Sequence, residues 1–224
     1  MKKPGLLLLC ALLLFISGCS ASQPDAVSSA TLSRYRENEI QEYQGARLDP
    51  AVGPRDNSIK GVQQVELETY TLTIGGLVDA PQALTYGEVL ALPAYERLIT
   101  LHCVEGWDAA ILWRGVLLQD LLGLAGIQEE AVTVIFGAVD GYTTSLPLET
   151  VTGNQLIMAY QANGIDLPPE MGYPFIVVAE DKYGYKWARW VSSITLSDDA
   201  DYKGFWENLG YSNDASADGS ARDE

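Results

Sequence analysis

The chain is poor in the residues that build disulfide frameworks, histidine-rich metal clusters and basic surfaces. It has three cysteines and one histidine, and 14 basic against 30 acidic residues, which gives a formal net charge of −16. This acidity argues against nucleic acid and anionic lipid headgroups as partners. One cysteine and one histidine in the body of the chain are too few for a structural zinc site. No internal repeat is evident, and the length suits one domain.

The N-terminus, MKKPGLLLLCALLLFISGCS, is typical of a secretory signal. Two lysines precede an apolar run, 6–16, that is too short and wrongly flanked for a membrane-spanning helix. The run leads into Ser17-Gly18-Cys19, which resembles the bacterial lipobox, whose cysteine is lipidated. An ordinary cleaved signal with a chance cysteine is the alternative. We expect a lipoprotein signal over 1–18 and a protein anchored through Cys19 to the extracytoplasmic face of the cell membrane.

Composition and periodicity divide the rest of the chain into three segments. Residues 19–50 begin with small polar residues, SASQPDAVSSATLSRY, and are predicted to be a tether and N-terminal arm. Residues 51–200 carry the folded domain, and residues 201–224 form an acidic C-terminal tail.

The folded segment mixes strand and helix patterns, and strand patterns dominate. A capping box at Thr85 and Glu88 predicts one helix, and apolar spacing after 115 predicts a second that ends at Gly126. The fold class is therefore α+β, with mostly short strands and a few helices. Strands are predicted in five runs, VELETYTLTIGGLV, Val132 to Phe136, GYTTSLPL, YPFIVVAE and RWVSSITL.

The stretch TLHCVEGW, 100–107, places the lone thiol of the mature chain beside the lone histidine. An unpaired cysteine outside the cytoplasm is either a buried small hydrophobic residue or a reactive or metal-binding group. A thiol nucleophile needs a base nearby, but adjacent side chains of an extended segment point to opposite faces, so His102 and Cys103 make a poor dyad. A thiol nucleophile is therefore the weakest of three interpretations, and the other two are these. Cys103 is a buried cysteine of a binding or adhesion module, or it binds a metal whose other ligands come from a cofactor.

Five segments point to one family. They are TLTIGGLVDAPQALTYGEVLALP, LHCVEGWDAAILWRGVLLQDLL, DGYTTSLPLE, AYQANGIDLPPEMGYPFIVVAEDKYGYKWARWVSSITL and GFWENLGY. In this order and spacing they resemble the oxidoreductase molybdopterin-binding domain, the core of sulfite oxidases, plant-type nitrate reductases and periplasmic methionine-sulfoxide reductases. The resemblance implies a sulfite-oxidase-type fold and a molybdenum-molybdopterin cofactor.

The resemblance also implies a function. Cys103 would bind molybdenum and be the catalytic cysteine, in a two-electron redox change coupled to oxygen-atom transfer. The substrate would be a small molecule, and electrons would pass to or from a separate membrane or soluble partner. A non-catalytic binding or assembly module with the same fold is the alternative.

Further cofactor contacts are implied in the run DKYGYKWARWV. The family's contact positions fall on Trp187, Ala188 and Arg189. Arg189 stands where the family has lysine and can grip a phosphate through two hydrogen bonds, with Lys186 as the nearby alternative. A solvated strand with ordinary surface cations is the plainer interpretation.

Upstream, GPRDNSIKG resembles the family's Arg-x-Asn stretch, which makes Arg55 and Asn57 candidates for pterin contacts; a polar turn is the alternative. Asp140 lies where the family places a polar side chain against the cofactor, but an Asp-Gly turn between strands explains it equally well. Two positions depart from the family pattern. Met171 stands where histidine or asparagine is usual, and Ile176 where arginine is usual, which argues against a pocket for a sulfite-like anion. His102 is expected to pack away from the metal or to relay protons.

Overall fold

The structure is a computed structural model that describes residues 27–53 and 56–222. Within these residues it has four α-helices, α1 (Ser29–Asn38), α2 (Tyr86–Leu90), α3 (Leu118–Ala125) and α4 (Leu148–Gly153). The strands are β1 (Glu42–Tyr43), β2 (Ala46–Arg47), β3 (Leu72–Gly76), β4 (Gln82–Leu84), β5 (Ala94–His102), β6 (Asp108–Leu117), β7 (Thr133–Ala138), β8 (Thr143–Pro147), β9 (Ile157–Ala162), β10 (Ile165–Asp166), β11 (Ile176–Val178) and β12 (Val191–Ser197). The predicted α+β class is confirmed. No helix in the described ranges is long and apolar enough to cross a membrane.

Two five-stranded sheets carry the core. One has the order β10-β9-β6-β5, with β11 also paired to β9, and the other has the order β4-β3-β12-β7-β8. Strand β12 runs parallel to β3 and antiparallel to β7. Strands β5 and β6 form a nine-pair antiparallel ladder that ends at His102 and Asp108. The short loop between these two strands carries Cys103, so the ladder positions the candidate metal ligand.

Local sequence explains the predicted helices. The Thr85 hydroxyl accepts a hydrogen bond from the Glu88 amide, and the Glu88 carboxylate accepts one from the Thr85 amide, which completes the predicted capping box at the start of α2. Helix α3 buries Leu118, Leu121 and Leu122 against the core, and it ends at Gly126, whose φ of 69° favours glycine. Burial of each leucine contributes about 1.5–3 kcal/mol to folding.

Three features differ from the composition-based expectations. Helix α1 occupies part of the segment predicted to be a tether; it begins because Ser28 caps it, and none of its residues is buried. Strand β3 starts only at Leu72, so the alternating residues before it lie outside the sheet. The acidic tail packs against the domain, with Glu207 and Ala215 buried. The predicted signal over 1–18 and the Cys19 anchor lie outside the described residues.

Candidate active site

A cavity of about 1480 Å³ opens beside the β5–β6 loop. Its wall comes from segments that are far apart in the sequence: the N-terminal arm, residues 49–53 and 56–59, the loop at 103–109, the turn at 140–142, residues 170–190 and the C-terminal segment at 206–211. Among the candidates from the sequence, Cys103, Asn57, Asp140, Trp187 and Arg189 line it. The structure therefore brings five residues together, although Asn57 and Arg189 are more than a hundred positions apart in the sequence.

Cys103 lies in a tight loop at the cavity wall. Its backbone N–H donates to the Trp107 carbonyl at 2.9 Å, and its carbonyl accepts from the Gly106 N–H at 3.0 Å. Gly106 has a φ of 86°, which a residue with a side chain adopts only at a cost. Burial raises the pKa of the Cys103 thiol, and the carboxylates of Glu105 and Asp108 raise it further. A raised pKa favours the protonated thiol, and coordination to a metal would favour the thiolate.

His102 has different surroundings. Unlike Cys103, it does not line the wall, and its Nδ1 lies 2.7 Å from Asp108 Oδ1 on a partly exposed surface. His102 and Cys103 therefore make different contacts, which agrees with the expectation for neighbours on an extended chain.

Arg189 is held in a fixed orientation at the cavity wall. Its guanidinium donates to the Glu170 carbonyl at 2.8 Å and to the Asp56 carboxylate at 3.1 Å, and it stacks over the Trp190 ring at 4.5 Å. Burial lowers the pKa of Arg189, while Asp56 opposes that shift, and an arginine remains charged in either case. Asp56 is itself buried and also accepts from the Ser58 hydroxyl at 2.6 Å. These contacts leave a positioned cation for an anionic group.

Lys186, the alternative cation, does not reach the cavity. It is fully buried, and its ammonium donates to the Glu207 carboxylate at 2.6 Å, the Ser145 carbonyl at 3.0 Å and the Asn213 side-chain oxygen at 3.0 Å. Because an ammonium has three N–H donors, these bonds use all of them. Lys186 therefore fastens the C-terminal segment and offers no free donor to a cofactor.

The remaining candidates differ in whether they line the cavity. Trp187 lines the cavity, and its indole N–H donates to the Lys182 carbonyl at 3.0 Å, whereas Ala188 is buried behind the wall, where its carbonyl accepts from the Val177 N–H. Asp140 lines the wall and also accepts from the Tyr142 N–H at 2.9 Å, so the turn and the cavity contact are both present. Arg55 lies outside the described residues.

Several wall residues escaped the sequence interpretation. Asp56 lies between the candidates Arg55 and Asn57 in the sequence, and the resemblance does not single it out. Tyr142, Tyr185, Trp206 and Tyr211 also line the cavity. Their aromatic side chains carry no spacing signal, because the segments that hold them meet only in the tertiary structure.

The donor set of the cavity suits a metal carried by an organic cofactor. Among residues 27–53 and 56–222, no group of three or more histidine, cysteine, aspartate or glutamate side chains is placed to hold a metal ion. One soft thiol on the wall can complete the coordination of a metal whose other ligands are brought by the cofactor. The oriented Arg189 matches the anionic part of molybdopterin. Fold and site together define an α+β domain with a cavity that brings one cysteine, one oriented arginine and several aromatic residues together.

Comparison with known proteins identifies the family. Residues 59–206 match the family described as oxidoreductase molybdopterin binding domain, and the chain belongs to it. The chain is 38% identical over 147 residues to the uncharacterized oxidoreductase YuiH of Bacillus subtilis, covering 65% of this chain and 74% of that protein. It is 29% identical over 211 residues to the putative protein-methionine-sulfoxide reductase subunit YedZ1 of Azospira oryzae, covering 88% and 79%.

More distant matches agree with this assignment. Identity to the sulfite oxidase of Arabidopsis thaliana is 27% over 195 residues, covering 65% of this chain and 50% of that protein. The solved structure of the sulfane dehydrogenase SoxCD from Paracoccus pantotrophus superposes with a TM-score of 0.64 at 22% identity, over 76% of this chain and 48% of that one. The chain thus spans about half the length of these two proteins. It is a molybdopterin-dependent oxidoreductase with molybdenum-molybdopterin as its cofactor.

Proposed function

We propose that the chain is a lipid-anchored, extracytoplasmic oxidoreductase that couples a two-electron redox change to oxygen-atom transfer, with the Cys103 thiolate as the protein ligand of molybdenum. The observation that carries the proposal is the position of Cys103. It is the only cysteine in the described part of the chain, and it lines the cavity, whereas His102 does not.

The cofactor, when bound, supplies the electron pair and the centre at which the oxygen atom is transferred. Arg189 would hold the anionic end of the cofactor, because Asp56 and the Glu170 carbonyl fix its guanidinium at the wall. Asn57 lies on the same wall and offers an amide to the pterin. The apolar side chains of Ile111 and Ile176 also line the cavity and restrict water.

The wall favours an uncharged substrate over an oxyanion. Ile176, at the position of the family's arginine, is 1% exposed and lines the cavity, so an aliphatic side chain stands where a cation would bind an anion. A sulfoxide or another small oxo compound fits this wall, and one relative is named as a putative protein-methionine-sulfoxide reductase subunit. The designation of that relative as a subunit also supports a separate electron-transfer partner for this chain.

Elemental analysis tests the metal site. Wild type, Cys103→Ser and His102→Gln are expressed in a host that makes molybdopterin, and molybdenum per protein is measured by plasma mass spectrometry. We expect stoichiometric metal in wild type and in His102→Gln, and at least a tenfold loss in Cys103→Ser. Equal metal in Cys103→Ser and wild type rejects Cys103 as the ligand. If wild type binds molybdenum but turns over no oxo donor or acceptor, the result would favour a non-catalytic module.

The anchor is tested separately. Wild type and Cys19→Ser are produced with the full leader, and membrane and soluble fractions are compared together with the intact mass of the mature protein. We expect wild type in the membrane fraction with the mass of a lipidated N-terminal cysteine. An unlipidated wild-type mass would contradict the localisation without affecting the assignment of the metal ligand.

A further inference from the structure

Three aromatic rings from two segments form one connected part of the cavity wall. Tyr185 and Tyr211 pack edge to face with ring centroids 5.2 Å apart, and Trp206 packs against Tyr211 at the same centroid distance. All three residues line the cavity. We call Tyr185, Trp206 and Tyr211 the aromatic wall.

Buried polar contacts hold the aromatic wall in place. The Tyr185 hydroxyl donates to the Ser212 carbonyl at 2.8 Å, one residue beyond Tyr211. One residue after Trp206, the Glu207 carboxylate accepts from the Lys186 ammonium at 2.6 Å and from the Thr144 hydroxyl at 2.6 Å. Because both ends of the 206–212 segment are tied to the domain, its rings are preorganised for contact with a ligand.

Tyr185, one of the three rings of the aromatic wall, lies in a segment that runs beside the end of β5. Tyr183 forms a parallel bridge with His102, and a Cβ on Gly184 would lie 3.6 Å from the His102 carbonyl oxygen. Residues 183–185 therefore run along the end of β5, directly before Cys103. Arg189 instead contacts Asp56 and Glu170, which belong to other segments of the cavity wall. If Arg189 holds the anionic end of the cofactor, the aromatic wall is available to a different molecule.

The charges near Cys103 select against anions. Glu105 and Asp108 line the cavity in the same loop as Cys103. Arg222 lies over the Tyr211 ring at 4.6 Å but does not line the cavity. An oxyanion at this position would meet carboxylates, whereas an uncharged molecule with an apolar body would pack on the rings.

We infer that Trp206 and Tyr211 bind the substrate and determine its specificity, favouring uncharged oxo compounds that carry an apolar or aromatic group. The inference rests on the proposed function and adds the residues that contact the substrate. In the reductive direction each probe R₂S=O takes two electrons and two protons and leaves as R₂S and water, with reduced benzyl viologen as the electron donor.

The test compares a large and a small probe. Methyl phenyl sulfoxide and dimethyl sulfoxide are assayed with wild type, Tyr211→Ala, Tyr211→Phe and Leu209→Ala. Leu209 is the matched control because it lies in the same segment, is 58% exposed and does not line the cavity. We expect Tyr211→Ala to raise KM for methyl phenyl sulfoxide about tenfold, the effect of losing an aromatic contact, and KM for dimethyl sulfoxide much less. Tyr211→Phe, which keeps the ring, should restore most of the affinity, and Leu209→Ala should match wild type.

The readouts separate this inference from the proposed function. Molybdenum is measured in every variant, and the dissociation constant of methyl phenyl sulfoxide is measured by calorimetry on metal-loaded protein, which does not require turnover. A tenfold weaker constant in Tyr211→Ala with unchanged metal supports the inference. An unchanged dissociation constant together with an unchanged ratio of the two KM values would overturn the inference. Loss of metal in Tyr211→Ala would also overturn it, because the rings would then contact the cofactor. Absence of metal in wild type instead rejects the proposed function.

Discussion

Lys186 and Glu207 form an ion pair in which both side chains are completely excluded from solvent, with Nζ and Oε1 2.6 Å apart. The pair joins the segment before β12 to the C-terminal segment and so keeps Trp206 and Tyr211 at the cavity. Burial lowers the pKa of Lys186, and the charge of Glu207 opposes that shift. Within the described residues, Glu207 Oε2 is the one buried side-chain polar atom without a hydrogen-bond partner.

Breaking this pair on one side should destabilise the fold. Lys186→Met leaves Glu207 as an uncompensated buried charge, so we expect the free energy of unfolding to fall by about 3–5 kcal/mol in urea denaturation. The double variant Lys186→Met with Glu207→Gln removes the buried charge and should recover part of the loss. Lys182→Met is the control, because its partner Asp214 is 72% exposed, and we expect a change below about 1 kcal/mol. A similar loss of unfolding free energy in Lys186→Met and Lys182→Met would contradict a special role for the buried pair.

Cofactor retention should depend on Arg189. Arg189→Met removes the oriented guanidinium, and we expect at least a tenfold drop in the oxidised pterin fluorescence released per protein. Arg189→Lys keeps a charge but loses the fork geometry, so an intermediate content is expected. Arg114→Met is the matched control, since Arg114 is partly exposed, pairs with Glu96 and does not line the cavity. Full pterin content in Arg189→Met would show that another group holds the anion.

The two central strands of one sheet approach closely at Gly115. A Cβ at this position would lie 2.1 Å from the Met158 carbonyl oxygen, where β6 meets β9. We expect Gly115→Ala to lower the free energy of unfolding by about 1–3 kcal/mol, because backbone must shift to admit the methyl group. Gly123→Ala, in helix α3 with nothing within 4 Å of the added Cβ, should be neutral or stabilising. Chemical denaturation of the two variants gives the comparison, and equal stability would contradict the close approach.

Alkaline pH should unfold the protein partly through buried tyrosines. Burial raises the pKa of Tyr86 from 10.0 to about 12, and burial raises that of Tyr142 well above its usual value. A raised folded-state pKa means that the protonated phenol is favoured in the native protein. The resulting stability is fully present below pH 10 and is lost as pH rises from 10 towards 12. Tyr86→Phe should flatten the fall of unfolding free energy over this window, and an unchanged slope would reject the assignment.

Several features of this protein follow from local sequence. Thr85 and Glu88 cap α2 because the box needs only residues three apart, and α3 ends at Gly126 because a left-handed residue is needed there. Cys103 and His102 make different contacts, as expected for neighbours on an extended chain. The motifs around Cys103 were enough to indicate the family, because they occur in the family's order and with its spacing along the chain.

Tertiary structure decided the rest of the site. The basic run offers Arg189 as the cofactor contact and Lys186 as the alternative. In the structure Lys186 turns inward to Glu207, and Arg189 reaches the cavity beside Asp56, a residue more than a hundred positions upstream. The composition of residues 201–224 indicates only that the C-terminal tail is acidic, whereas in the structure a buried ion pair joins this tail to the domain. Such choices depend on which distant segments meet, and on the cost of burying a charge without its partner. Local periodicity carries no information about either.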